Sequence, residues 1–281
     1  MIVTELVDIE ALVELELPPL PAVAMRVATL TQDFNSSARA IADAIGCDPA
    51  LGARVLRAAN SPLYYLERDV TTLTMAVNAL GNENIHQLVV ASAVVDAFQR
   101  RGLSSAIEAS LWEHSIAVGL AAREIMSLLG LRGTEQGFIC GLLHDIGKLL
   151  LLRHDAEKYR RLFIDPSESD FLASERATFG FTHAQVGALA ARRWQLPDTI
   201  SQAIYHHHQP SQADAAMLVA RVVDVADALA NQAGLGVRGA IETELVELES
   251  VIALRLSADQ LNAVWDKTQS GVAETLALFS R

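Results

Sequence analysis

The chain has 281 residues, of which 51% are apolar, 20% charged and only 5% aromatic, and its formal net charge is −12. This apolar content excludes a disordered chain. The weight of Ala and Leu favours helices over a sandwich or barrel, and the acidic balance excludes generic binding to nucleic acid or to an anionic membrane surface.

The opening MIVTELVDIE carries early acids and no basic stretch, so no signal peptide is expected. Pro18-Pro19-Leu20-Pro21 is a rigid stop to the short amphipathic lead-in of residues 1–17. Val23, Val27 and Leu30 then fall on one helix face. Ser36 or Ser37 can cap a second helix striped by Ile41, Ala44 and Ile45, and Asp48-Pro49 starts a third that ends at Asn60-Ser61-Pro62. Two helical stretches follow at about 74–80 and 82–99, punctuated by Gly81, and Arg100-Arg101-Gly102 breaks the pattern. The apolar run Leu88–Val95, interrupted by Ser92, falls well short of the ~20 residues of a membrane span. A soluble, cytoplasmic protein is expected.

In the second half the spacing predicts helices over 105–129, 134–153, 168–178, 182–195, 197–207 and 214–232, with Thr134 and Asp214 as caps. Residues 235–256 carry a weak pattern, and a last helix starts after Ser257. No strand alternation of useful length appears. The chain therefore reads as all-α. Cys47 and Cys140 belong to no C-x-x-C pair and read as buried reduced thiols.

The eight histidines are unevenly placed. His144-Asp145 lies in Gly141-Leu142-Leu143-His144-Asp145-Ile146-Gly147-Lys148. An imidazole and a carboxylate in an apolar helix are costly unless both are compensated, by each other or by a divalent cation. Lys148, one turn on, could hold an anion there. His114, His183, the run His206-His207-His208, and Asp227 with Asp224 three residues before it, each have an ordinary alternative. His114 could be a core histidine, His183 a helix cap, the triple histidine a solvated helix end, and Asp227 a surface carboxylate. His86, beside Gln87, reads as a surface residue.

Together, the order H…HD…H…HH…D around an HDIGK core resembles the HD superfamily of metal-dependent phosphohydrolases, including the HD-GYP phosphodiesterases. The resemblance implies that His114, His144, Asp145 and Asp227 hold one metal ion, that His183, His207 and His208 serve a second, and that Lys148 contacts phosphate. The histidine pair could slip one place to His206 and His207. The ions would be Fe, Mn, Zn or Ni, one or two in number, and Asp145 and Lys148 would carry any phosphoryl chemistry. The closest resemblance is to the HDOD domain. It rests on Leu17-Pro18-Pro19-Leu20-Pro21-Ala22-Val23-Ala24, on Asp48-Pro49-Ala50-Leu51 through Asn60-Ser61, on Ala76-Val77-Asn78-Ala79-Leu80-Gly81, and on Ala203-Ile204-Tyr205-His206-His207-His208-Gln209-Pro210.

That family implies an N-terminal helical lobe (1–102) packed on an HD-like metal-binding lobe (103–235), followed by a C-terminal extension (236–281). It implies a regulatory role in bacterial signal transduction, with a protein partner or a nucleotide ligand. Hydrolysis of a nucleotide is the alternative. Gln209-Pro210-Ser211-Gln212 follows the histidines in place of Gly-Tyr-Pro, and Ser110 stands where HD-GYP enzymes have a ligating Glu, which argues against a third ion.

Overall fold

In the computed structural model the first helix, α1 (Ile9–Glu16), is capped by the Asp8 carboxylate and buries Leu12 and Val13. The structure describes residues 8–60, 69–100, 105–131, 133–164, 171–236 and 244–279, and every regular element among them is helical. Two units result: Met1–Leu17 with Ser104–Ala273, and Pro18–Leu103 with Glu274–Arg281.

The smaller unit holds α2 (Ala22–Gln32), α3 (Ala38–Ile45), α4 (Pro49–Ala59) and α5 (Leu73–Arg100). Ser37 is the residue that caps α3, accepting from the Ala40 N–H. Asp48 caps α4 by accepting from the amides of Ala50 and Leu51, with Pro49 in the first turn. α5 is kinked at Gly81, whose non-helical φ of 79° and ψ of 162° suit glycine, so it consists of two helical stretches meeting there, as the sequence predicts. Val27, Ile41, Ile45, Val55, Val77, Ile85 and Val89 form the core of this unit. His86 is buried, contrary to the surface reading: it faces α2, with Nδ1 2.9 Å from Thr31 Oγ1. Cys47 is exposed, because it lies in the turn after α3, whereas Cys140 is buried as expected. The predicted stop at Ser61-Pro62 and the break at Arg101-Gly102 lie outside the described residues.

The larger unit adds α6 (Ala106–Leu128), α7 (Thr134–Leu143), α8 (Ile146–His154), α9 (Ala156–Ile164), α10 (Phe171–Phe179), α11 (His183–Arg193), α12 (Asp198–His206), α13 (Met217–Gln232), α14 (Glu249–Leu254) and most of α15 (Ala258–Phe279), whose residues from Glu274 on belong to the smaller unit. The long helix predicted over 134–153 is two helices, broken at His144-Asp145, where Asp145 has φ −101° and ψ 11°. Thr134 is the first helical residue and left-handed Gly133 is the cap. Asp214 opens a single 3-10 turn, and α13 begins three residues later. α9 was not predicted; Asp155 accepts from the Lys158 amide at its start, and Tyr159 is fully buried. The weak 235–256 segment yields a 3-10 turn at Leu245–Glu247 and α14, and Ser257 caps α15 as predicted.

α6 packs on α7 and α13. The α6–α7 crossing is tight: a Cβ on Gly141 would lie 2.7 Å from the Gly119 Cα. α8 packs on α11, and α11 on α12. These crossings bring the ends of α7 and α12, the start of α11 and the middles of α6 and α13 together. Among the described residues no helix is long and apolar enough to cross a membrane.

Candidate metal centre

All the predicted site residues lie in the larger unit. His114 projects from α6 and Asp227 from α13, and His114 Nε2 is 3.0 Å from Asp227 Oδ1. His144 is the C-terminal cap of α7, with Nε2 3.7 Å from Asp227 Oδ1 and 3.3 Å from Asp145 Oδ2. Asp145 stands in the middle. Its Oδ2 is 3.8 Å from His114 Nε2, and its Oδ1 is 3.2 Å from His183 Nε2 and 3.8 Å from His207 Nε2. His183 is the first residue of α11, placed by the Thr182–Gln185 capping box, and His207 caps the C-terminus of α12. His183 Nε2 is 3.3 Å from His207 Nε2 and 3.0 Å from His208 Nε2. The adjacent pair is thus His207 and His208; His206 turns away and packs on Tyr205.

Four of the rings are aimed from behind. Nδ1 of His114 donates to the Leu235 carbonyl at 2.8 Å, that of His144 to the Gly141 carbonyl at 2.7 Å, and that of His207 to the Ile204 carbonyl at 2.6 Å. His183 Nδ1 donates to Glu175 Oε2 at 2.8 Å. Each of these acceptors can only accept, so each ring carries a proton on Nδ1 and turns Nε2 inward, where a cation could replace any proton it holds.

Charge in the cluster is strongly coupled. Burial alone would raise the Asp145 carboxyl, but the charges of His144 and Lys148 beside it outweigh burial and hold it well below the usual range. Asp227 is held down likewise, burial being outweighed by His114 and His144. Burial would lower His144, yet Asp145 and Asp227 push it up to about 10. His207 goes the other way: burial and the neighbouring imidazoles keep it well below its ordinary value, hence neutral.

The donor set fits a divalent cation. His144 Nε2 and Asp145 Oδ1 are buried without a hydrogen-bond partner. When neutral, the Nε2 lone pairs of His183 and His207 face each other across 3.3 Å, which is unfavourable unless a proton or cation lies between them. Three groups could each hold an ion: His114, His144 and Asp227; His144, Asp145 and His207; and His183, His207 and His208. Neutral imidazole with carboxylate suits borderline transition ions.

One edge of the cluster is open. His144, Asp145, His183 and His207 are buried, whereas His208 is exposed and the side chains of Asp227 and Lys148 are 18% and 17% accessible. Lys148 Nζ lies 2.6 Å from Asp145 Oδ2 and 5.5 Å from the centre of the Phe171 ring. Sequence reasoning missed Glu175 and Tyr159, whose hydroxyl donates to Glu175 Oε1 at 2.6 Å. Neither carries a signal in the sequence: Glu175 is a lone acid beside Arg176 in α10, and its role depends on α9 and α10 closing behind α11. Asp224 is outside the cluster, beside Ser250 and Glu249.

The family model for the HDOD domain matches residues 17–210, so Asp227 and Leu235 lie beyond the matched span. An HDOD domain protein of unknown function from Geobacter sulfurreducens superposes with a TM-score of 0.73 at 26% identity, covering 97% of this chain and 98% of its own. A provisionally assigned phosphohydrolase of Shewanella amazonensis SB2B gives a TM-score of 0.75 at 25% identity, covering 98% of each chain. An uncharacterized protein of Treponema pallidum (strain Nichols) is 23% identical over 201 residues, which span 69% of this chain and only 38% of that protein. With its all-helical fold, its ordered motifs and a family match over most of its length, the chain belongs to the HDOD domain family.

Proposed function

We propose that this protein is a regulatory HDOD module of bacterial signal transduction whose state is set by divalent metal, and by a phosphate-bearing ligand, at the His/Asp centre. The inward aim of four backed imidazoles around Asp145 is the observation that carries this reading. The metal ligands are His114, His144, Asp145, His183, His207, His208 and Asp227, holding one or two ions. The regulatory part of the reading is supported by the smaller unit, which has its own apolar core and none of the three candidate metal groups found among the described residues. Residues 17–102 would serve as the output surface for a protein partner in the cytoplasm, and residues 103–235 as the sensing lobe, with 236–281 as an extension.

A second reading, hydrolysis of a nucleotide phosphodiester, is favoured by the accessible edge where Lys148 and Asp227 meet solvent. A bound divalent ion would supply Lewis-acid polarisation of a phosphoryl oxygen. Lys148 would bind and neutralise a second phosphoryl oxygen, and Asp145 would orient Lys148 as it does now.

The two readings separate on one preparation, purified without a histidine tag. Elemental analysis is expected to find at least about one transition ion per chain, in line with imidazole ligation. Metal loading is expected to change hydrogen exchange within α4 as well as around His144, with feeble turnover of simple phosphodiesters. Fast, metal-dependent hydrolysis abolished by Asp145→Ala would establish the enzyme instead. A metal-soaked protein with no ion near His144 and Asp145 would sink both.

A further inference from the structure

The two halves of the centre are not equivalent. On one side His114 and His144 are accompanied by the Asp227 carboxylate as well as by Asp145. On the other, His183, His207 and His208 share only Asp145 Oδ1, 3.2 Å from His183 Nε2. A dication among three neutral imidazoles therefore meets less direct negative charge. Helix ends set His183 apart from the other rings. His144 and His207 sit at C-termini, whose partial negative charge favours a cation, whereas His183 is the first residue of α11, at a positive end.

Glu175 lies at that positive end. It is fully buried and accepts three bonds: from Tyr159 Oη at 2.6 Å, from the His183 backbone N–H at 2.8 Å and from His183 Nδ1 at 2.8 Å. Three donors aimed at two oxygens require a carboxylate. By gripping the backbone and the ring of one residue together, it fixes both the tautomer and the orientation of His183. It is the one carboxylate found behind a ring nitrogen of this cluster among the described residues; the acceptors behind His114, His144 and His207 are neutral carbonyls.

We infer that Glu175, buttressed by Tyr159, is the positioning residue that makes the three-histidine half a metal site in its own right, supplying from behind the negative charge that Asp227 supplies directly to the other half. This rests on the metal-binding reading above. A carboxylate behind a ligating histidine raises its basicity, and losing such a partner weakens metal binding by about 10- to 100-fold.

The test is titration with Co2+, followed by calorimetry and by visible absorption, which reads the ligand field. Glu175→Gln is made in the His114→Ala background, which leaves the three-histidine half, and in the His208→Ala background, which leaves the other. The expected result is a loss of about 10- to 100-fold in Co2+ affinity in the first background, with a changed absorption band, and no change in the second. Equal losses in both, or a lowered melting temperature with unchanged Co2+ affinity in the first, would make Glu175 merely structural and overturn the inference. Should Glu175→Gln fail to fold, Tyr159→Phe removes one donor and keeps the ring; a smaller loss confined to the His114→Ala background is then expected, and none would overturn the inference. Wild-type protein that takes up no Co2+ would overturn the proposed function itself, and this inference with it.

Discussion

Gly147 and Gly187 meet where α8 crosses α11: a Cβ on Gly147 would lie 2.9 Å from the Gly187 backbone nitrogen and would overlap the His183 carbonyl oxygen. The contact is backbone on backbone, so no side chain can swing aside. Gly147→Ala must push α8 and α11 apart, separating Asp145 from His183. We expect a destabilisation of about 3 kcal/mol or more, together with loss of bound metal. Gly52→Ala is the control, since its Cβ would meet Leu73 Cδ1 at an ordinary 3.6 Å. There the better helix propensity should leave stability unchanged or raised by up to about 1 kcal/mol. Thermal melts and metal analysis of both variants check this.

His144→Ala should remove metal without unfolding the protein. The ring lies in the polar cluster with Asp145 and Asp227 rather than in the apolar core, and its Nε2 makes no well-formed hydrogen bond. Far-UV circular dichroism should be unchanged, and stability in chelator should stay within about 1–2 kcal/mol of wild type. The increment in melting temperature that metal gives the wild type should disappear. An insoluble variant would mean that His144 and Asp145 form a structural network.

Asp224 should make the metal-free protein less stable as pH rises. Burial, with Asp227 and Glu249 nearby, pushes its carboxyl from 3.8 up to about 6 against the opposing bond from Ser250. The folded state therefore holds this proton more tightly than the unfolded chain. The contribution of Asp224 to stability is greatest below 3.8 and is lost as pH rises through about 6. Asp224→Asn should abolish that slope and stabilise the protein at pH 7 by on the order of 2 kcal/mol. Denaturant melts across this range, in chelator, give the sign directly.

In the smaller unit Arg54 and Asp96 form a bidentate buried ion pair linking α4 to α5. Removing one partner strands the other charge, so Asp96→Ala should cost about 3–5 kcal/mol. Arg54→Met with Asp96→Leu should cost less than Asp96→Ala alone. A double-mutant cycle showing simple additivity would mean that the pair is not coupled.

Where the physics is local, the sequence announced the structure. Asp48-Pro49 capped its helix, Ser257 did the same for α15, and Gly81 bent α5. Where it is tertiary, the sequence misled. The apolar run through Cys140, Leu142, Leu143, Ile146 and Leu149 keeps helical spacing across His144-Asp145, yet the chain turns there, at the residues before the Gly147 crossing. α9 was hidden by its charges, with Tyr159 and Leu162 as the buried face of a segment in which four of nine residues are charged. The seven candidate residues were readable in their chain order, and the structure gathers them; the carboxylate behind His183 was not, because only folding brings Glu175 to it.

Two of the candidate metal-binding residues, His144 and His207, share a device: each closes its helix and bonds Nδ1 to the carbonyl three residues earlier. Their aim is thus written into helix ends that form with the fold itself. On the proposed metal-binding reading, a centre built this way would exchange its ions without refolding, so its filling would track the free concentration of those ions rather than the history of the chain. Such behaviour would be reversible, and it would let one protein molecule follow a changing metal supply many times over its lifetime.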